Sequence, residues 1–103
     1  ENSKSNLIFA YADWCGHCQK FKPTWNKFKA KYGKILNIRE LNADTDGNMI
    51  NQLGIRGFPT IMMTSPNGRQ EFEGQRTLAG LEKFVLENNP HIDQDLKDYR
   101  RSV

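Results

Sequence analysis

Long apolar runs are missing from this chain. None approaches the ~18 residues that a membrane-crossing helix needs, so no membrane span is expected. Cysteine is almost absent as well: Cys15 and Cys18 are the only two. Histidine is as scarce, with His17 between those cysteines and His91 far along in a polar stretch. A structural zinc needs a full set of four ligands, and these residues do not supply one convincingly. A c-type haem needs His directly after the second cysteine, where Gln19 stands. No metal and no cofactor are therefore expected. Charge of one sign is not in large excess either. Fifteen Lys and Arg face 12 Asp and Glu, for a net charge of +3. The positive charge gathers between Lys20 and Lys34, as on the wet face of a helix, which argues against a nucleic-acid patch. No targeting or C-terminal retention signal is visible, but the chain also lacks an initiating Met, so that absence is uninformative. A length of 103 residues suits one domain burying roughly two thirds of its unfolded surface.

What is present is concentrated around Trp14-Cys15-Gly16-His17-Cys18. Leu7 to Ala12 before it is apolar and partly aromatic, the pattern of a buried strand. Gln19 to Tyr32 after it reads as a helix, in which Phe21, Trp25, Phe28 and Tyr32 form one stripe. The cysteines thus stand where a strand hands over to a helix. The first N–H groups of a helix lack internal partners and carry partial positive charge, which favours a thiolate. Cys-x-x-Cys spacing also lowers thiol pKa. Residues three apart share a helix face, close enough for a disulfide to open and close. Two buried structural cysteines are the bland alternative.

Along the rest of the chain, Pro23 falls inside the helical stretch and should kink or break it near Lys22. Gly33 suits its end. Ile35 to Leu41 reads as a second strand, and Met49, Ile50 and Leu53 as a short helix ending at Gly54. Thr60 to Thr64 and Arg69 to Glu73, with Phe72 buried, form a hairpin around Ser65-Pro66-Asn67-Gly68. Thr77 caps a last helix with Leu78, Leu81, Phe84 and Val85 on one face. Residues 1–103 make one domain, in which 89–103 is a tail or a docked helix with Ile92, Leu96 and Tyr99 on one side. The expected class is α/β: a mixed four-stranded sheet with helices on both faces and a right-handed strand–helix–strand crossover.

Tyr11 to Pro23 resembles the active-site region of the thioredoxin superfamily, and Gly-His between the cysteines resembles its protein disulfide isomerase form. Gly54-Ile55-Arg56-Gly57-Phe58-Pro59-Thr60 is similar to that family's cis-proline loop, and Gly74-Gln75-Arg76-Thr77 to the arginine turn of isomerase domains. The resemblance covers residues 7 to about 88. It implies a thioredoxin fold whose N-terminal strand and helix are short or missing here.

The resemblance further implies a Cys15/Cys18 dithiol–disulfide cycle. Cys15 is the nucleophile and Cys18 resolves the mixed disulfide. Gly16 and His17 complete the motif, His17 adding positive charge beside the Cys15 thiolate. Trp14, Phe58 and Pro59 would contact substrate, and Arg76 would swing toward Cys18. The family usually keeps an acid six residues before the first cysteine, where this chain has Phe9. Glu40, at the place of a family lysine, is the expected substitute acid for Cys18; a plain exposed strand residue is the alternative. The function implied is thiol–disulfide exchange on protein substrates, with an oxidase or reductase as redox partner, in a monomer. A reductive thioredoxin-like role and a binding or chaperone module with a regulatory disulfide are the alternatives. Gly-His favours the endoplasmic reticulum lumen or another secretory compartment over the cytoplasm.

Overall fold

Leu7, Ile8, Phe9 and Ala10 are all buried, which places β1 (Asn6–Tyr11) in the middle of a sheet covered on both faces. The computed structural model describes residues 6–65 and 68–89. β1 pairs in parallel with β2 (Asn37–Asn42) and antiparallel with β3 (Thr60–Ser65), which pairs antiparallel with β4 (Gly68–Glu71). The sheet order is β2-β1-β3-β4. Three helices complete the chain order: α1 (Gly16–Tyr32) after β1, α2 (Gly47–Gln52) after β2 and α3 (Leu78–Asn88) after β4. The expected mixed four-stranded α/β sheet is therefore present. The lead-in, Pro66 and Asn67 of the hairpin turn, and Ile92, Leu96 and Tyr99 of the tail lie outside the described residues.

Strand alternation divides the core. Leu7 and Phe9 of β1 with Ile61 and Met63 of β3 face the stripes of α1 and α3, joined by Phe21, Trp25, Phe28, Leu81 and Val85. Ile8, Ala10 and Met62 face the other way, against Leu41, Ile50 and Ile55, with α2 covering that side. Aromatic rings build the first layer. Phe9 lies 4.8 Å from Trp25 and 5.4 Å from Phe21, centroid to centroid, and Phe28 stacks on Tyr32 at 4.6 Å. α1 is tied to α3 by Glu82, which accepts from Lys31 Nζ at 2.6 Å and from Tyr32 Oη at 3.1 Å. Burial, and then this carboxylate, push the Tyr32 phenol above its usual pKa.

Several boundaries differ from those expected. α1 runs unbroken through Pro23, which is exposed, because Phe21 and Trp25 on either side are anchored in the core. β2 starts at Asn37 rather than Ile35: the N–H groups of Ile35 and Leu36 both turn back to Tyr32 O at the helix end. β4 stops at Glu71, and all four of its residues are exposed, as on a sheet edge. Phe72 is consequently half-buried, although its N–H still reaches Ile61 O at 2.8 Å and its ring lies 5.2 Å from Phe84. Thr77 caps α3 as expected, its hydroxyl accepting from Gly80 N at 3.0 Å.

Phe28 is fully buried. Phe28→Ala is expected to destabilise the chain by about 3–5 kcal/mol, whereas Lys27→Ala at the exposed neighbouring position should stay within about 0.5 kcal/mol. Urea midpoints of the two variants check this.

Candidate active site

The end of β1 and the start of α1 are joined by a tight turn, whose closing bond is Cys15 N–H to Ala12 O at 3.1 Å. Cys15 then adopts extended backbone geometry (φ −89°, ψ 113°) and caps α1. The cap acceptor is its sulfur: Cys15 Sγ takes the Cys18 N–H at 3.1 Å. Serine, threonine and aspartate usually fill this role with oxygen. Here the atom at the positive end of the helix is the one that carries charge as a thiolate. No acidic side chain occupies the first turn to compete with it. Gln19 Nε2 donates to Asp13 O at 2.9 Å and pins the turn from outside.

Cys15 and Cys18 form a disulfide with Cα atoms 5.2 Å apart, the separation their spacing on one helix face implies. Cys18 is fully buried and Cys15 retains 7% exposure. Cys15 is thus less open than a helix start suggests, yet it is the sulfur nearer solvent. Ala12 is buried with the two sulfurs, and Tyr11, Ala43 and Phe58 pack around them. Gly16 and His17 are exposed on the first turn of α1.

Trp14 stands 70% exposed beside the pair, its ring edge-on to Phe58 at 6.0 Å. The Phe58–Pro59 peptide bond is cis, as the loop's resemblance implied. Thr60 Oγ1 donates to Gly57 O at 2.7 Å and closes this loop on itself. The structure so brings together Trp14, Cys15, Cys18 and Phe58. A cavity of 580 Å³ runs along Phe58 and Pro59 toward Arg56, Arg69 and Glu71. Another, of 680 Å³, lies between β4 and α3 and is lined by no cysteine. Among the described residues, no three His, Cys, Asp or Glu side chains gather as a metal site, and no helix is long and apolar enough to cross a membrane. Arg76 is exposed between β4 and α3, and among the described residues no hydrogen bond or ion pair links it to the sulfurs.

Glu40 is placed differently from the expectation that it serves Cys18. It is the register partner of Phe9, and its Oε2 accepts from Trp25 Nε1 and from Lys29 Nζ, both at 2.7 Å. Trp25 and Lys29 stand seven and eleven residues beyond Cys18, about 10 and 16 Å along the helix axis. Its carboxylate therefore clamps the middle of α1 to β2. Burial works against ionisation of Glu40, but the hydrogen bonds from Lys29 and Trp25, with the charges of Lys29 and Lys22, hold its carboxyl below the usual range. Sequence reasoning missed this clamp, and also Tyr11 and Ala43 as walls of the sulfur site. Periodicity within an element marks which face is buried, but not what a strand residue meets on a helix.

Comparison with known proteins agrees with this geometry. The family model described as thioredoxin matches residues 1–87. The protein disulfide-isomerase A6 homolog of Drosophila melanogaster is 36% identical over 82 residues, covering 78% of this chain and 19% of that protein. The protein disulfide-isomerase of Gallus gallus is 32% identical over 104 residues, covering 95% of this chain and 20% of that protein. The chain thus spans about a fifth of the length of these curated relatives. Among solved structures, the J-Trx1 fragment of ERdj5 shares the fold, with a TM-score of 0.77 at 21% identity over 85% of this chain and 43% of that one.

The Glu40 clamp has a testable pH signature. Its folded pKa lies below the ordinary 4.5, so its ionised form stabilises the fold at neutral pH and that contribution fades as pH falls below 4.5. Glu40→Gln is expected to lower the urea midpoint at pH 7, and the gap to wild type should close as the pH falls below 4.5. An equal gap at both ends of the titration would refute the clamp.

Proposed function

The chain belongs to the thioredoxin family, and we propose that within it this domain is a thiol–disulfide oxidoreductase of the protein disulfide isomerase type, acting on protein substrates. The observation that carries the reading is the sulfur cap: Cys15 Sγ accepts a first-turn N–H at the positive end of α1, while Cys18 lies fully buried one turn on. Relatives named protein disulfide-isomerase support the same class.

In the oxidising direction a substrate thiolate attacks Cys15 Sγ. The Cys15–Cys18 bond breaks, and Cys18 leaves as a thiolate that takes up a proton. A second substrate thiolate then attacks its own sulfur in the mixed disulfide, and Cys15 departs as a thiolate. The substrate loses two electrons and the domain gains them. In isomerisation the reduced Cys15 starts instead, attacking a substrate disulfide, and the substrate's own thiols or Cys18 release it. Stabilising the Cys15 thiolate makes it both the better leaving group and the available nucleophile. The Cys18 N–H and the helix end supply that stabilisation, and protonated His17 would add to it. This favours the reduced state and makes the disulfide the stronger oxidant.

Trp14 and Phe58 form an apolar platform beside the sulfurs for the substrate chain. Pro59 has no N–H, so the backbone at this loop is free to pair with an extended peptide. Arg76 is the candidate for a charge that approaches Cys18 during the cycle. An oxidising secretory compartment such as the endoplasmic reticulum lumen, with an oxidase as redox partner, suits the Gly-His motif. The exposed Trp14, edge-on to the half-buried Phe58, also favours a second reading, a peptide-binding module in which the disulfide is regulatory.

The reduction potential separates the isomerase-type reading from a reductive thioredoxin-like one. A value near about −180 mV is expected, where a reductive thioredoxin would lie near about −270 mV. Cys15→Ser should abolish oxidation of reduced ribonuclease, while Cys18→Ser should still form a mixed disulfide at Cys15. His17→Ala should move the potential in the negative direction by roughly 30 mV. Failure of the unmutated domain to oxidise reduced ribonuclease would leave only the binding-module reading.

A further inference from the structure

Among the described residues, Cys18 lies fully buried in an apolar cluster. Its cluster contains Ala12 and Cys15, with Ala43 from the β2–α2 turn, Phe58 from the cis-proline loop and Tyr11 from β1. Behind Tyr11, Phe9 stacks at 5.3 Å and leads to Phe21 and Trp25, which continue the buried stripe of α1 below Cys18. Among the described residues, the charged and titratable groups on the elements around it are occupied or turned outward. On α1, His17 is exposed and Lys22 Nζ lies 4.5 Å from the centre of the Tyr11 ring. On β2, Glu40 is held by Trp25 and Lys29. In the turn after β2, Asp44 is exposed and Asp46 Oδ2 accepts from Asn42 N at 2.8 Å and from Thr45 Oγ1 at 3.2 Å. Asp13 in the turn before Cys15, Arg56 in the cis-proline loop and Arg76 between β4 and α3 are exposed.

We infer that Cys18 gives its proton directly to solvent rather than to an internal base, so that a substrate bound through Cys15 is released slowly at neutral pH and the mixed disulfide persists. The inference rests on the exchange cycle proposed above. The release step runs as follows. Cys18 Sγ–H loses its proton to water or hydroxide, and the thiolate attacks Cys15 Sγ. The Cys15–Cys18 bond forms as the Cys15–substrate bond breaks, and the substrate leaves as a thiolate that is protonated in solvent. An ordinary thiol, with pKa near about 8.5, is only a few per cent ionised at neutral pH, and apolar burial lowers that fraction. Cys15 receives the N–H that offsets this effect; Cys18 is the residue that donates it. Among the described residues no hydrogen-bond donor is aimed at Cys18 Sγ to offset its burial. A slowly released substrate has time to try its own thiols against the bound sulfur, which suits rearrangement of disulfides better than rapid reduction.

The test mixes the reduced chain with excess oxidised glutathione and follows the Cys15–glutathione adduct by acid quench and mass spectrometry. Ring closure by Cys18 is first order, so it separates from the bimolecular attack by Cys15. Its rate is expected to climb about tenfold per pH unit from pH 6 to 8, with no plateau below about pH 8.5. Glu40→Gln should leave that rate within about twofold of wild type at every pH. A plateau below pH 7.5 that persists in Arg76→Ala, or a tenfold slowing in Glu40→Gln with a changed pH slope, would show an internal base and overturn the inference. If neither wild type nor Cys18→Ser forms the adduct, the exchange cycle itself fails and this inference falls with it.

Discussion

A single hydrogen bond organises the chemistry of this domain: the Cys18 amide gives its hydrogen to the Cys15 sulfur. For that bond to exist, Cys15 must leave β1 in extended geometry, turn at Ala12, and start α1 with its side chain folded over the helix end. Each requirement is met by something buried. β1 is central in the sheet, Ala12 is fully enclosed, and α1 is anchored by Phe21, Trp25 and Phe28. Electrostatics at the sulfur is thus a product of packing several residues away.

The same arrangement makes the two cysteines unequal although they stand three residues apart. One sulfur sits at the mouth of the helix dipole with a donor aimed at it; the other lies against alanine and aromatic carbon. Burial disfavours a thiolate and a hydrogen bond to it favours one, and among the described residues only the Cys15 sulfur receives such a bond. Unequal thiols are what a directional exchange cycle requires, since one must attack and leave readily while the other waits. Glu40 belongs to the mechanical part of the design, fastening the middle of α1 to β2 and keeping the helix end aligned.

Much of this was legible from the residues alone, for physical reasons that differ from place to place. The run Leu7 to Ala10 announced a strand covered on both sides, because only such a strand dispenses with polar alternation. Phe21, Trp25, Phe28 and Tyr32 marked the buried face of α1, and Thr77 marked the start of α3. Of the two outcomes Pro23 allowed, a break at Lys22 does not occur: its lost hydrogen bond weighs less than the aromatic anchors on either side. The start of β2 was misplaced because Ile35 and Leu36 spend their amides on the end of α1. Glu40 was illegible for a deeper reason. Its partners come from a helix eleven and fifteen residues earlier, and no local pattern encodes which side chains meet across two elements.

The two tryptophans occupy opposite extremes of the molecule. Trp25 is 1% exposed, held by a carboxylate in the aromatic layer, while Trp14 is 70% exposed at the lip of the sulfur site. Indole emission depends on its surroundings, so the chain carries two built-in fluorophores that answer to separate events. Occupation of the surface beside the sulfurs alters the outer one and leaves the inner one dark to it, whereas melting of the core changes the inner one. Ligand capture and loss of structure can therefore be followed optically, apart from each other, without attaching a dye.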